Sequence, residues 1–248
     1  MIASGAELHF QWPGSLELLF RATLILAAAW AVHFALGGVN PRWRVTLWRA
    51  VSAALLVLPL TSAIAVTFPV ELPGAIVQMG EYGFVPAVQQ ETRDFWNGIP
   101  WLELLWLGGA SLFLLLLVRA HFKLARQVKS LSQADEAARE LLTQVAQGVG
   151  YSGPLPDLRF SQSVEVPFAC GMLKPVVVLP ESMLAPGFKS ELPAVLAHEV
   201  SHMRMADLAW SFIAQVVRCL LWFHPFARPV PDAHRAACED VCNTAAAG

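Results

Sequence analysis

The chain has 248 residues, of which 56% are hydrophobic and only 15% charged, and its mean hydropathy is +0.51. Soluble domains carry about 25% charged residues, so this composition excludes a disordered chain and an ordinary soluble enzyme. A net charge of -2 offers no basic field for nucleic acid, and no direct nucleic-acid partner is expected. Charge is also uneven: 12 of the charged residues lie in 1–118 and 24 in 119–248. The pattern divides the chain into a membrane region, 1–118, and a region of ordinary globular composition, 119–248.

Three apolar runs occupy the first region: Leu16–Leu36, Trp48–Val66 and Trp101–Val118. Each is close to the roughly 17–25 residues that a helix needs to cross a bilayer. Their charges (Glu17 and Arg21, Arg49, Glu103) fall in the opening turns. Three transmembrane helices are predicted, with the lipid bilayer as the first partner. No basic residue precedes Arg21 and the first run exceeds a signal h-region, so a cleavable signal peptide is not expected.

Orientation follows from the loops. Arg42, Arg44 and Arg49 separate the first two runs without an acid, and Arg119, Lys123, Arg126 and Lys129 follow the third. Between them, Glu71, Glu81, Glu91 and Asp94 face a single Arg93. Basic loops stay inside. The N-terminus and the loop Pro69–Pro100 are therefore expected outside, and everything after Val118 in the cytosol. Trp12, Trp43, Trp48, Trp96 and Trp101 fall near the predicted interfaces, as an aromatic belt would. Cys170, Cys219, Cys238 and Cys242 all lie on the cytosolic side, where reduced thiols are the expectation.

In the second region, Leu131–Gln147 reads as an amphipathic helix with Ser132 and Asp135 resembling a capping box. Leu158–Phe160, Val164–Ala169 and Val176–Leu179 read as strands, with a turn over Gly171–Pro175. Ser190–Met205 reads as a helix with Ser190 as its cap. Asp207 opens a strongly apolar helix to about Phe223, read as buried or membrane-surface rather than a fourth span. Pro225, Pro229 and Pro231 break the chain before a last helix, His234–Ala247. The β-branched run Val176, Val177 and Val178 is a candidate edge strand that could pair with an extended substrate.

The informative residues are His198-Glu199-Val200-Ser201-His202. On a helix, positions i and i+4 share a face, so both imidazoles can reach one Zn²⁺ ion. Glu199 sits one residue along, placed to take a proton from the attacking water rather than to bind the metal. Two histidines need a third ligand. The downstream candidates are Asp207, His224, His234, Glu239 and Asp240, and spacing alone does not choose among them. His234, Cys238 and Cys242 form a rival set at i, i+4 and i+8, although small thiols on a packed face are the plainer reading.

The zinc helix, then Trp222-Phe223-His224-Pro225, then Glu239-Asp240-Val241-Cys242-Asn243 resemble the membrane metallopeptidase domain of BlaR/MecR-type sensor-transducers, bacterial gluzincins that respond to β-lactams. Val166-Pro167-Phe168, Gly171 and Lys174–Pro180 resemble the strand pair ahead of the zinc helix in that family. The resemblance implies a mainly α membrane protein: three transmembrane helices, N-terminus out, followed by an α+β zincin-like metallopeptidase domain over 119–248. It implies one Zn²⁺ on His198, His202 and Glu239, with Glu199 as the base. The family's aspartate that accepts a hydrogen bond from a ligand histidine falls on Asn243. Family members continue into another span and an extracellular penicillin-binding sensor, so the domain is expected to be truncated at its C-terminus. No Ser-x-x-Lys of that sensor occurs in the chain.

The function this implies is a zinc endopeptidase of the bacterial cytoplasmic membrane. It would cleave a cytosolic protein, such as a transcriptional repressor, or itself, in an antibiotic response. An HtpX/Ste24-like quality-control metalloprotease and a non-catalytic membrane receptor or scaffold remain as alternatives, and a homodimer is left open.

Overall fold

The computed structural model describes residues 14–61, 101–188 and 190–246. Three helices come first: α1 (Gly14–Ala35), α2 (Arg42–Thr61) and α3 (Trp101–Lys129). All three are long and apolar enough to cross a membrane. At a rise of about 1.5 Å per residue α3 runs ~43 Å, longer than the ~30 Å of bilayer hydrocarbon. It continues past the predicted end at Val118 and carries Arg119, Lys123 and Arg126 on the same helix. Leu102, Leu105, Leu112, Leu115 and Leu116 stay exposed along it, the surface that lipid would cover.

The second span begins six residues before the predicted Trp48. Asn40 Oδ1 accepts from the Arg42 N–H at 3.0 Å, and Pro41 pre-sets the backbone for the first turn. Arg42 and Arg44 therefore ride on α2 together with Arg49, instead of lying in a loop. The predicted end of this run, 62–66, the loop Pro69–Pro100, Trp12 and Trp96 lie outside the described residues. Trp48 is not a belt residue: it is fully buried, and its Nε1 donates to His33 Nδ1 at 3.1 Å. Trp43 and Trp101 are exposed.

The rest is β1 (Ser132–Gln133), α4 (Glu136–Val149), β2 (Asp157–Ser161), β3 (Phe168–Cys170), β4 (Val176–Pro180), two short 3₁₀ turns, α5 (Leu192–Arg204), α6 (Asp207–Leu220) and α7 (Val230–Ala246). This is a mainly α membrane protein with a small mixed sheet in its later half. Asp135, not Ser132, caps α4: its side chain accepts from Ala138 N, and Gly150 ends the helix in the left-handed region. Ser132 instead starts β1. Nor does Ser190 cap α5, which begins at Leu192 with Pro193 in its first turn. α7 starts at Val230, because Pro231 falls in the first turn, where a proline costs no hydrogen bond.

The sheet order is β1-β2-β4-β3, with β2 and β4 parallel and both outer pairs antiparallel. This corrects the edge-strand expectation for Val176, Val177 and Val178. β4 is an inner strand, with Val177 between Leu158 on β2 and Ala169 on β3. Three aligned β-branched residues suit a strand covered on both faces, and Val177 and Val178 are fully buried. The outer strands are β1 and β3, and β3 is the one next to β4. Gly171 turns the β3–β4 hairpin at φ +83, where a Cβ would overlap the Lys174 carbonyl oxygen.

One core fills the space between α4, the sheet and α5, with Leu142, Leu158, Leu179, Leu196 and Val200 at its centre. A second joins the membrane helices to the last two: Ala22, Leu26, Trp48 and Val51 pack with Ala214, Val217 and Val230. α6 also meets α3. Gly109 gives way to the Trp222 indole, and Trp106 Nε1 donates to Leu220 O at 2.8 Å. At 14 residues α6 is too short to span a bilayer by itself.

Candidate metal centre

α5 places His198 and His202 one turn apart on one face, with ring centroids 4.9 Å apart and nearly perpendicular. Their Nε2 atoms are 3.3 Å apart. Glu239 arrives from α7, with Oε2 3.3 Å from His198 Nε2 and Oε1 3.4 Å from His202 Nε2. A tetrahedral zinc site with arms of about 2.0–2.1 Å has ligand atoms about 3.3–3.4 Å from one another. The donor set fits a zinc ion: two imidazoles and one carboxylate converge at that spacing.

The far side of His202 explains which nitrogen points inward. Its Nδ1 hydrogen-bonds Asp207 Oδ2 at 2.9 Å, so Nε2 is the nitrogen that faces His198 and Glu239 and would coordinate a metal. Burial works against a charged His202. Hydrogen bonds to Asp207 and Cys242 and the nearby Glu239 outweigh it, pushing its pKa up to about 10. Glu199 is buried on the same helix, and burial raises its pKa above the usual carboxylate range. The neighbouring His202 and His198 and the Ala169 N–H, which donates to it from β3, work in the opposite direction. Glu199 is thus a carboxylate beside the histidine cluster, held by β3, one of the sheet's two edge strands.

Among the described residues, His198, His202 and Cys242 also group their donor atoms within 4.8 Å. Cys242 Sγ approaches His202 at Nδ1, 3.6 Å away, the face turned from Glu239. The rival trio does not assemble: His234 lies against Ser211 Oγ at 3.4 Å and Cys238 Sγ at 3.6 Å, while Cys242 joins His202. Of the other ligand candidates, His224 Nε2 meets Thr23 Oγ1 of α1 at 3.0 Å, and Asp240 pairs with Arg44 at 2.9 Å.

The acid that hydrogen-bonds His202 is Asp207, and not the residue at 243. On α7 the turn that brings Glu239 and Cys242 to the histidines leaves Asn243 exposed. Asp207 reaches His202 because only Met205 and Ala206 separate α5 from α6, and Ala206 makes the sharp turn at φ 56. A left-handed alanine costs roughly 1–2 kcal/mol. The sequence signal was an acid five residues after the second histidine, at the start of a helix. Asn243→Asp should leave metal affinity unchanged, whereas Asp207→Asn should lower it about 10–100-fold. Chelator competition on both variants checks this, and an effect confined to Asn243→Asp would reverse the assignment.

A family model described as BlaR1 peptidase M56 matches residues 16–247. The chain belongs to that family. The M56 match covers the membrane helices as well as the candidate metal centre. The chain is also similar to methicillin resistance mecR1 proteins of Staphylococcus aureus and Staphylococcus epidermidis, at 24% identity over 140 residues in each case. That stretch is 56% of this chain and 24% of each relative, so the match spans about a quarter of their length.

Proposed function

We propose that this chain is a zinc-dependent endopeptidase of the bacterial cytoplasmic membrane. It cleaves a cytosolic protein, such as a transcriptional repressor, or itself, in BlaR/MecR-type signalling. The observation that carries the reading is the convergence of His198, His202 and Glu239 at the 3.3–3.4 Å spacing of zinc ligands, with Glu199 buried beside them. Zinc bound there would supply a Lewis acid that lowers the pKa of water to about 7 and polarises a peptide carbonyl. Glu199 takes the proton of the attacking water and returns it to the leaving amine. The free edge of β3, where the Ala169 N–H already points to Glu199, is where an extended substrate pairs, in place of Val176–Val178.

The M56 family and the names of the relatives support an antibiotic-response role over a quality-control one. The buried Glu199 argues against a non-catalytic scaffold, which would have no use for a buried carboxylate at that position. Metal analysis of the purified chain should find one zinc per chain, and none in His202→Ala. A metal-free wild type overturns the reading. The cytosolic placement is read in intact cells. A cysteine at Gln89 should react with an impermeant maleimide while the half-buried Cys170 does not, and the opposite pattern inverts the topology.

A further inference from the structure

The membrane helix α2 grips both elements that carry the metal ligands. Arg49 Nη2 bonds Asp207 Oδ1 and donates to the Met205 carbonyl at 2.9 Å. Its guanidinium also lies 5.8 Å from the centroid of the Trp210 ring. Asp207 gives its other oxygen to His202 Nδ1, at 2.9 Å. Five residues earlier on α2, Arg44 donates to Asp240, the neighbour of Glu239 on α7, at 2.9 Å.

We propose that Arg49 is a positioning residue for the metal centre, acting through Asp207 on His202, so that the membrane helix α2 sets the orientation of a metal ligand. The inference rests on the metallopeptidase reading above. A carboxylate held at one oxygen can swing about its Cβ–Cγ bond, and one held at both cannot. The Asp207 side chain is 6% exposed, so no layer of water substitutes for a lost partner. The same Arg49 nitrogen holds the Met205 carbonyl, at the end of the helix that carries both histidines. Ala206 joins these two contacts by one left-handed residue. A shift of α2 therefore carries the end of α5 and Asp207 with it, and the imidazole follows. The separation of His202 from α2 in sequence, more than 140 residues, hides this connection from any local motif.

The test uses the full chain in detergent, with two readouts: zinc affinity by chelator competition, and the visible absorption of the Co²⁺-substituted protein. Arg49→Gln should weaken zinc about 10–100-fold and alter the Co²⁺ bands. Arg49→Lys should fall between Arg49→Gln and wild type, because lysine is shorter and has no planar group to lie on Trp210. Adding Arg49→Gln to Asp207→Asn should weaken binding no more than twofold beyond Asp207→Asn alone, since both act along one path. Arg42→Gln, an exposed arginine of the same helix, should match wild type.

Unchanged zinc affinity and Co²⁺ bands in Arg49→Gln overturn the proposal. So does full additivity with Asp207→Asn, or an equal loss in Arg42→Gln. Should Arg49→Gln fail to fold, Arg49→Lys decides: wild-type affinity and bands in it overturn the proposal. If His202→Ala binds zinc as wild type does, the metal reading itself fails, an outcome separate from a neutral Arg49.

Discussion

Glu199→Gln is expected to keep the metal and lose peptide cleavage by roughly 10²–10⁴-fold. Glutamine preserves the volume and can still accept from the Ala169 N–H, so α5 and the β3 edge stay in place. What it removes is the proton acceptor, and no ligand goes with it, because the converging donors belong to His198, His202 and Glu239. A second effect runs the other way. Burial raises the Glu199 pKa, so the folded state holds a proton there more tightly than the unfolded chain does. Stability from this group is present at low pH and is lost as pH rises through the raised value. At neutral pH the ionised carboxylate is a cost, and glutamine relieves it. The metal-free variant should unfold at a higher temperature than wild type, as happens when a group is kept for chemistry rather than for stability. Metal analysis, peptide cleavage and a thermal melt on one preparation measure all three. Turnover retained in Glu199→Gln would mean that another group is the base.

How much of this site was legible beforehand depends on how local the cause is. The two histidines on one helical face follow from their spacing alone, because 3.6 residues per turn fixes which side chains meet. The three spans follow from composition. What stayed hidden is long-range. Glu239, Cys242 and Asn243 all lie within one turn or so of α7, and only the rotation of that helix against α5 decides which of them face the histidines. That rotation is set by Ala237, Cys238 and Val241 packing on Val45 of α2, across most of the chain. Asp207, a possible ligand by sequence, instead hydrogen-bonds His202 at its outer nitrogen. Trp48 looked like an interface residue because a span was expected to begin there. The start fell instead at the Asn40-Pro41 cap, which places Trp48 inside the bundle.

Strand order is the other long-range quantity, and it changes what Val177→Pro should do. For an edge strand that pairs with substrate, a proline would weaken cleavage and spare the metal. For the inner strand seen here, it should remove the fold that follows α3, and zinc binding and cleavage should disappear together. Proline deletes an N–H from a strand flanked on both sides by Leu158 and Ala169. A lost ladder bond is worth about 0.5–1.5 kcal/mol, and the buried carbonyl left without a donor costs about 1–3 kcal/mol more. The proline ring must also fit where a fully buried valine packs in the core with Leu142, Leu158 and Leu196. The two hydrogen-bond terms alone reach about 1.5–4.5 kcal/mol before the ring clash is added, large against the 5–15 kcal/mol that holds a domain together. Because β4 and α5 share that core, the helix bearing His198 and His202 loses its support at the same time. Val166→Pro, at an exposed position ahead of β3, serves as the matched control and should leave the fold intact. Limited proteolysis should open Val177→Pro after α3 while the membrane helices survive. A Val177→Pro protein that resists the protease and binds zinc, yet cleaves poorly, would return β4 to the edge and make it the strand that holds the substrate.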